Sequence, residues 1–172
     1  MRQIDLLDDE IKKCHKFADE VLNETYNRFN KQDNERKKRI FFGKLGEIGF
    51  IKFLSSRGIK INSSKIFDIY PGEINADKFD IITKYQKTID IKTAYEIYHK
   101  RIIIPKDQFE NNKAKDFYVG VKLDYFKKKI FVIGYVSKAK LIANGKKNFG
   151  EGYGYWEFLE KLNNIEDLIK II

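Results

Sequence analysis

Two short β-branched segments separated by a tight turn constrain the fold of this chain more than any other feature. Residues 79–83 and 88–92 have the composition of half-buried strands, and residues 84–87 form the turn between them. Because strand side chains alternate between faces, Asp90 and Lys92 are expected on one face of the second strand. A four- or five-residue loop would bring Asp80 opposite or diagonal to Asp90, with about 5–8 Å between Cβ atoms.

Two carboxylates that face each other on a sheet need a positive charge between them, because they repel and each is costly to desolvate. Mg²⁺ or Mn²⁺, which prefer oxygen ligands, would supply that charge. Lys92 would add an ammonium group that orients a water or balances a phosphate. The pattern predicts metal-assisted hydrolysis of a phosphodiester. The alternative is a hairpin with charged residues on its solvent-exposed face.

The spacing of Asp80 and Asp90-Ile91-Lys92 resembles the active-site signature of the PD-(D/E)xK nuclease superfamily, which has the restriction-endonuclease-like fold. The resemblance implies that Asp80 and Asp90 are metal ligands and that Lys92 positions the attacking water. Phe79 stands where the family has proline. The choice of Asp80 over Asp77 rests on strand phase, since Asp77 precedes the apolar run.

Two further site residues are implied by this resemblance. The stretch 43–54, GKLGEIGFIKFL, is similar to the helix that precedes the catalytic hairpin in the family, which makes Glu47 a third metal ligand. The alternative for Glu47 is a surface pair with Lys44, three residues earlier. Gln108 matches a polar residue that the helix after the second strand often contributes to the site.

The net charge of +9 points to a polyanionic partner. The chain has 28 lysines and 6 arginines, which favours binding to the phosphate backbone over reading of base edges. DNA is the expected partner, and the predicted DNA contacts are Arg36, Lys38, Lys44, Lys78, Lys100, Arg101, Lys146 and Lys147.

The chain of 172 residues predicts one nuclease domain in which residues 1–33 form a helical arm, 34–136 the catalytic core and 137–172 a C-terminal extension. Cys14 is the only cysteine, so no internal disulfide is possible. No signal peptide and no membrane span are evident, and a cytoplasmic location is expected.

The order of elements predicts an α/β fold with a mixed central β-sheet flanked by helices. The predicted helices are residues 4–29, 35–56, 106–115, 137–143 and 165–172. Further strands are predicted at 59–61, 117–121 and 129–136, and residues 144–155 are predicted as a glycine-rich loop.

The resemblance implies a Mg²⁺-dependent DNA endonuclease of the restriction type that cuts duplex DNA as a homodimer. A Holliday-junction resolvase of the same fold is the second interpretation. A basic DNA-binding module, whose carboxylates bind no metal, is the alternative from a different class.

Overall fold

A mixed five-stranded β-sheet is the largest feature of the structure, a computed structural model that describes residues 2–22, 32–62, 66–68 and 80–172. In chain order the elements are β1 (Arg2–Asp5), α1 (Asp8–Val21), α2 (Asp33–Ser55), β2 (Ile81–Ile82), β3 (Thr88–Ala94), β4 (Arg101–Pro105), α3 (Lys106–Phe109), β5 (Phe117–Asp124), β6 (Lys129–Ser137), α4 (Lys138–Asn144), β7 (Lys146–Asn148), β8 (Tyr153–Phe158) and α5 (Ile165–Ile169). A 3-10 turn, Leu159–Lys161, follows β8.

The central sheet has the strand order β1-β6-β5-β3-β2. β3 and β5 are parallel, and the other neighbours are antiparallel. A parallel pair needs a crossover connection, which here contains β4 and α3. The fold class is thus an α/β fold with a mixed sheet and flanking helices, as predicted.

A second sheet of three antiparallel strands has the order β4-β8-β7. Ile102 and Ile104 of β4 pack with Tyr118 of β5 and Val136 of β6 in a small apolar cluster. Through this cluster, the segment that crosses over between β3 and β5 covers one face of the central sheet.

The opposite face of the central sheet packs against α1 and α2. Leu45 and Phe50 of α2 share one large core cluster with Ile89 and Ile91 of β3 and Val119 of β5. The apolar residues of β3 that alternate with Asp90 and Lys92 therefore anchor this strand to the helices.

Two glycines of α2 explain how closely the helix approaches the sheet. A Cβ atom on Gly46 would collide with Thr93 Oγ1, and one on Gly49 would lie 2.6 Å from Ile130. Gly43 has no such neighbour within 4 Å. The atoms closest to Gly46 and Gly49 belong to side chains of the sheet, namely Thr93, Val121 and Ile130.

Several predicted element boundaries were wrong. Residues 2–5 form a strand because they pair with β6, with Ile4 opposite Ile130. α1 ends at Val21, and residues 23–31 lie outside the described part of the chain. No strand forms at residues 59–61.

The C-terminal half also differs from the prediction. α3 ends at Phe109, and Asn111 and Asn112 then adopt positive φ angles of 56° and 62°, which end a helix. α5 ends at Ile169. The predicted loop 144–155 contains β7 and the start of β8, because β8 pairs with β7 on one side and with β4 on the other.

Candidate active site

The β2–β3 hairpin places Asp80 and Asp90 side by side. Ile81 pairs with Ile89, so the same register puts Asp80 opposite Asp90. The backbone N–H of Asp80 donates to the Ile89 carbonyl oxygen at 3.1 Å. Asp80 Oδ2 accepts the backbone N–H of Ile91 at 2.5 Å. The two carboxylates are thus on one face of the hairpin, as the strand alternation predicts.

β5 is the strand that lies next to Asp90 and Lys92 in the sheet. Asp90 lies beside Tyr118, and Lys92 lies beside Gly120, in the parallel register of β3 and β5. A Cβ atom on Gly120 would contact Leu162 and Leu159, so this face of the sheet is turned toward the second sheet and the 3-10 turn. Asp90 and Lys92 therefore lie in a partly enclosed region, and their side chains are 17% and 23% exposed.

Two lysines pair with the acidic residues. Lys92 Nζ lies 2.6 Å from Asp90 Oδ2. Lys44 Nζ lies 2.6 Å from Glu47 Oε2, in the pairing that the sequence offered as the alternative for Glu47. Lys44 also lies 4.7 Å from the centre of the Phe17 ring. Each pair neutralises a carboxylate that is mostly shielded from solvent.

The carboxyl group of Asp80 is buried and is influenced by two other carboxylates. Burial raises its pKa well above the ordinary value, and the negative charges of Glu47 and Asp90 raise it further. Lys92 and the hydrogen bond from Ile91 oppose this effect. The influence of Glu47 and Asp90 on Asp80 means that three carboxylates share one electrostatic environment.

These residues suit a hard divalent cation in their chemistry. All three side chains offer carboxylate oxygens, and a cation would relieve the desolvation and the repulsion that raise the pKa of Asp80. In the described part of the chain, however, no three histidine, cysteine, aspartate or glutamate side chains are already arranged to hold a metal. A cation would have to compete with Lys44 for Glu47 and with Lys92 for Asp90.

Lys115 belongs to the same environment and was missed by the sequence analysis. Burial lowers the pKa of Lys115, while the charges of Asp90 and Asp80 raise it. Its backbone N–H donates to the Tyr118 hydroxyl at 3.0 Å, and Tyr118 is the neighbour of Asp90 in the sheet. Its position just before the predicted strand 117–121 was the only feature of the sequence that could have pointed to Lys115. That feature is not sufficient, because the pairing of this strand with β3 is decided by the tertiary structure.

Gln108 lies on α3, which packs mainly on β4 and β8. Its predicted contribution beside the metal stays a prediction. Asp77, the alternative to Asp80, lies outside the described residues.

The predicted DNA contacts fall into three groups. Lys44 is 4% exposed and paired with Glu47, so its prediction as a phosphate contact is corrected. Arg36 is directed inward as well, because its guanidinium donates to the Leu22 carbonyl oxygen and pairs with Asp33. Lys78 lies outside the described residues. The remaining five have surface positions or exposed ion pairs: Lys38, Lys100, Arg101, Lys146 and Lys147.

Comparison of the chain with protein-family models, curated proteins and solved structures gives no match. Among the described residues, no helix has both the length and the apolar character needed to cross a membrane.

Proposed function

We propose that this chain is a Mg²⁺-dependent DNA endonuclease in which Asp80, Asp90 and Glu47 bind the cation, with Mn²⁺ able to substitute. The observation that carries the proposal is the register of the β2–β3 hairpin, which puts Asp80 opposite Asp90, with Lys92 Nζ 2.6 Å from Asp90 Oδ2. Burial and the negative charges of Glu47 and Asp90, which raise the pKa of Asp80, support it. The net charge of +9 supports a polyanionic substrate. Since both strands of a duplex or a junction must be cut, a homodimer is part of the proposal.

Each residue has a distinct role in this proposal. Asp80 and Asp90 contribute oxygens from adjacent strands, and Glu47 contributes from α2. Lys92 donates to the attacking water or to a phosphate oxygen, and Lys115 adds a second positive charge nearby. Bound Mg²⁺ would polarise the phosphate and lower the pKa of a water.

The cation site is tested by thermal unfolding of the wild type and Asp90→Asn in EDTA and in Mn²⁺. At ten times the dissociation constant, a cation that binds only the folded state stabilises it by about 1.4 kcal/mol. For a domain of this size the wild-type Tm should rise by about 3–6 °C. Asp90→Asn should lose most of this shift because it removes a ligand charge.

Asp167→Asn is the matched control, because Asp167 is an exposed residue of α5 that pairs with Lys170. It should keep the wild-type response to Mn²⁺. An equal shift in the wild type and Asp90→Asn, or no shift in the wild type, would contradict the proposed cation site.

Catalysis is tested with supercoiled plasmid, linear duplex and a four-way junction, each with and without Mg²⁺. Lys92→Ala should lower the cleavage rate by about 10²-fold or more, because a positioned proton-transfer group typically contributes that much. Its DNA affinity in EDTA should stay nearly unchanged. Discrete plasmid fragments would favour a restriction-type enzyme, and preference for the junction would favour a resolvase.

A non-catalytic DNA-binding module is the second candidate. It is favoured by the pairing of Glu47 and Asp90 with lysines, which neutralises both carboxylates without a cation. In that case Asp90→Ala would bind DNA as well as the wild type or better, and neither protein would cut DNA or respond to Mn²⁺.

A further inference from the structure

A cavity of about 340 Å³ is lined in part by Lys92 and Glu151, whereas Asp80, Asp90 and Glu47 do not line it. It is bounded by the C-terminal end of β3, by β4 and by the turn between β7 and β8. Its polar and aromatic lining includes Arg39, Lys92, Tyr95, His99, Arg101 and Tyr153. Because Lys92 also pairs with Asp90, this lysine is shared by the cavity and the candidate active site.

The cavity is rich in hydrogen-bond donors. Arg39 pairs with Glu35 and Glu151, yet its buried Nε has no hydrogen-bond partner among the described residues. His99 Nδ1 accepts backbone N–H groups of Tyr95 and Glu96 at 3.3 and 3.4 Å. In a neutral imidazole the proton then lies on Nε2, which is a donor. Burial lowers the pKa of His99, which favours this neutral form.

Aromatic rings provide flat surfaces in the same cavity. Tyr95 packs edge-on against His99 with ring centres 4.7 Å apart, and it also contacts Phe42. Tyr153 is 58% exposed although it lines the cavity, so its ring is accessible to a ligand. Aromatic rings beside cationic groups are the features that bind unpaired bases together with their phosphates.

The shape of the site distinguishes one unpaired nucleotide from continuous duplex. The volume is at the lower end of the roughly 300–1,000 Å³ of small-ligand pockets. A base that remains paired and stacked within a duplex cannot place its face against a ring in such a cavity. A base that has left the stack can do so.

We propose that this cavity binds one unpaired nucleotide next to the phosphate that is cleaved, so that the substrate is DNA with an unpaired nucleotide at the cut. This inference rests on the endonuclease function proposed above. It assigns Tyr153 to stacking on the base, and Arg39, His99 and Arg101 to the phosphate and the base edge.

The experiment uses the full chain with Asp90→Ala, in EDTA, so that binding is measured without cleavage. Fluorescence anisotropy compares a duplex with a short single-stranded flap against a fully paired duplex that has the same number of phosphates. The flap substrate should bind roughly fivefold more tightly or better, the contribution of one stacked base. Adding Tyr153→Ala should remove most of that preference.

Phe126→Ala in the same background is the control, because Phe126 is 98% exposed and does not line the cavity. It should keep the flap preference. Equal affinity for both substrates, or an equal loss with Tyr153→Ala and Phe126→Ala, would overturn the inference.

In a parallel assay, wild-type protein that cuts duplex and flap DNA equally would also overturn it but leave the endonuclease function intact. Flap preference without cleavage would overturn the endonuclease function instead.

Discussion

At the scale of single residues, Asp80 and Asp116 show how neighbouring groups set the direction in which the pKa of a carboxyl group shifts. Burial and two carboxylates raise the pKa of Asp80. The pKa of Asp116, in contrast, is lowered overall. Partial burial alone would raise it, but the hydrogen bonds from Thr88 and the charge of Lys87 outweigh that effect. Asp116 stabilises the start of β3 when ionised, whereas ionised Asp80 destabilises the fold.

Asp80→Asn should therefore stabilise the metal-free protein at neutral pH. Because the pKa of Asp80 is raised in the folded state, ionisation of Asp80 destabilises the fold. This destabilisation is absent below the pKa of the unfolded chain, about 3.9, where Asp80 is protonated in both states. It grows as the pH rises toward the folded pKa and is complete above it. Asparagine can still accept the Ile91 N–H and carries no charge, so the free energy of unfolding in EDTA should increase.

The measurement is denaturant unfolding of both proteins between pH 3.5 and pH 8 in EDTA, where the gain should disappear at the acidic end. Asp116→Asn provides a contrast of opposite sign, because it should destabilise at neutral pH. A gain for Asp80→Asn that does not depend on pH would show that charge is not its cause.

At the scale of elements, α2 is positioned by the glycines that allow it to approach the sheet. Gly46 faces Thr93 of β3, and Glu47 is the next residue along the helix. The contact between Gly46 and Thr93 thus fixes the height and rotation of α2 at the point where Glu47 approaches the β2–β3 hairpin. The absence of a side chain at Gly46 is therefore needed for α2 to bring Glu47 to its observed position.

Gly46→Ala should destabilise the protein by about 1–3 kcal/mol or more, because the added methyl group overpacks against Thr93 and Val121. Gly43→Ala is the matched control three residues earlier in the same helix. Its new methyl group meets nothing within 4 Å, so it should be neutral or stabilise by up to about 1 kcal/mol. Chemical denaturation measures both, and equal effects would contradict this account of helix packing.

At the scale of the whole molecule, positive charge lies around the cavity and on the second sheet. Lys38 pairs with Glu96 beside the cavity, and Lys146 of β7 pairs with Glu110, which follows α3. Lys147 lies over the Trp156 ring at 5.9 Å, and Arg101 packs over Phe158 at 4.8 Å. Arg101 lines the cavity together with Lys92. Under the proposed function, this surface is the expected path of the DNA backbone.

The DNA affinity of Asp90→Ala should fall steeply with salt. If about six phosphates are contacted, affinity should decrease by about 10³-fold between 50 and 200 mM NaCl. Adding Lys147→Gln should reduce the slope of log affinity against log salt by about one. Lys170→Gln, directly after the end of α5, should leave the slope unchanged. An equal reduction would mean that the proposed surface is not the DNA path.

The local pattern of the chain was sufficient to predict the hairpin and its charged face. Alternation in residues 88–92 places Asp90 with Lys92 and buries Ile89 and Ile91, because strand geometry alone sets this period. The helix over residues 35–56 was also predicted nearly to its boundaries, since Asp33 is typical of a helix start and Gly58 of a helix end. These features depend on neighbours that are close in sequence.

The position of β1, the pairing of β7 with β8 and the place of Lys115 were decided only by the tertiary structure. Residues 2–5 become a strand because β6 offers an edge, and Lys115 comes near Asp90 because β5 lies parallel to β3. The inward direction of Lys44 likewise follows from α1, whose Phe17 ring covers it. Sequence periodicity fixes which face of an element is apolar, but the partner of that face is chosen by packing among residues far apart in the chain.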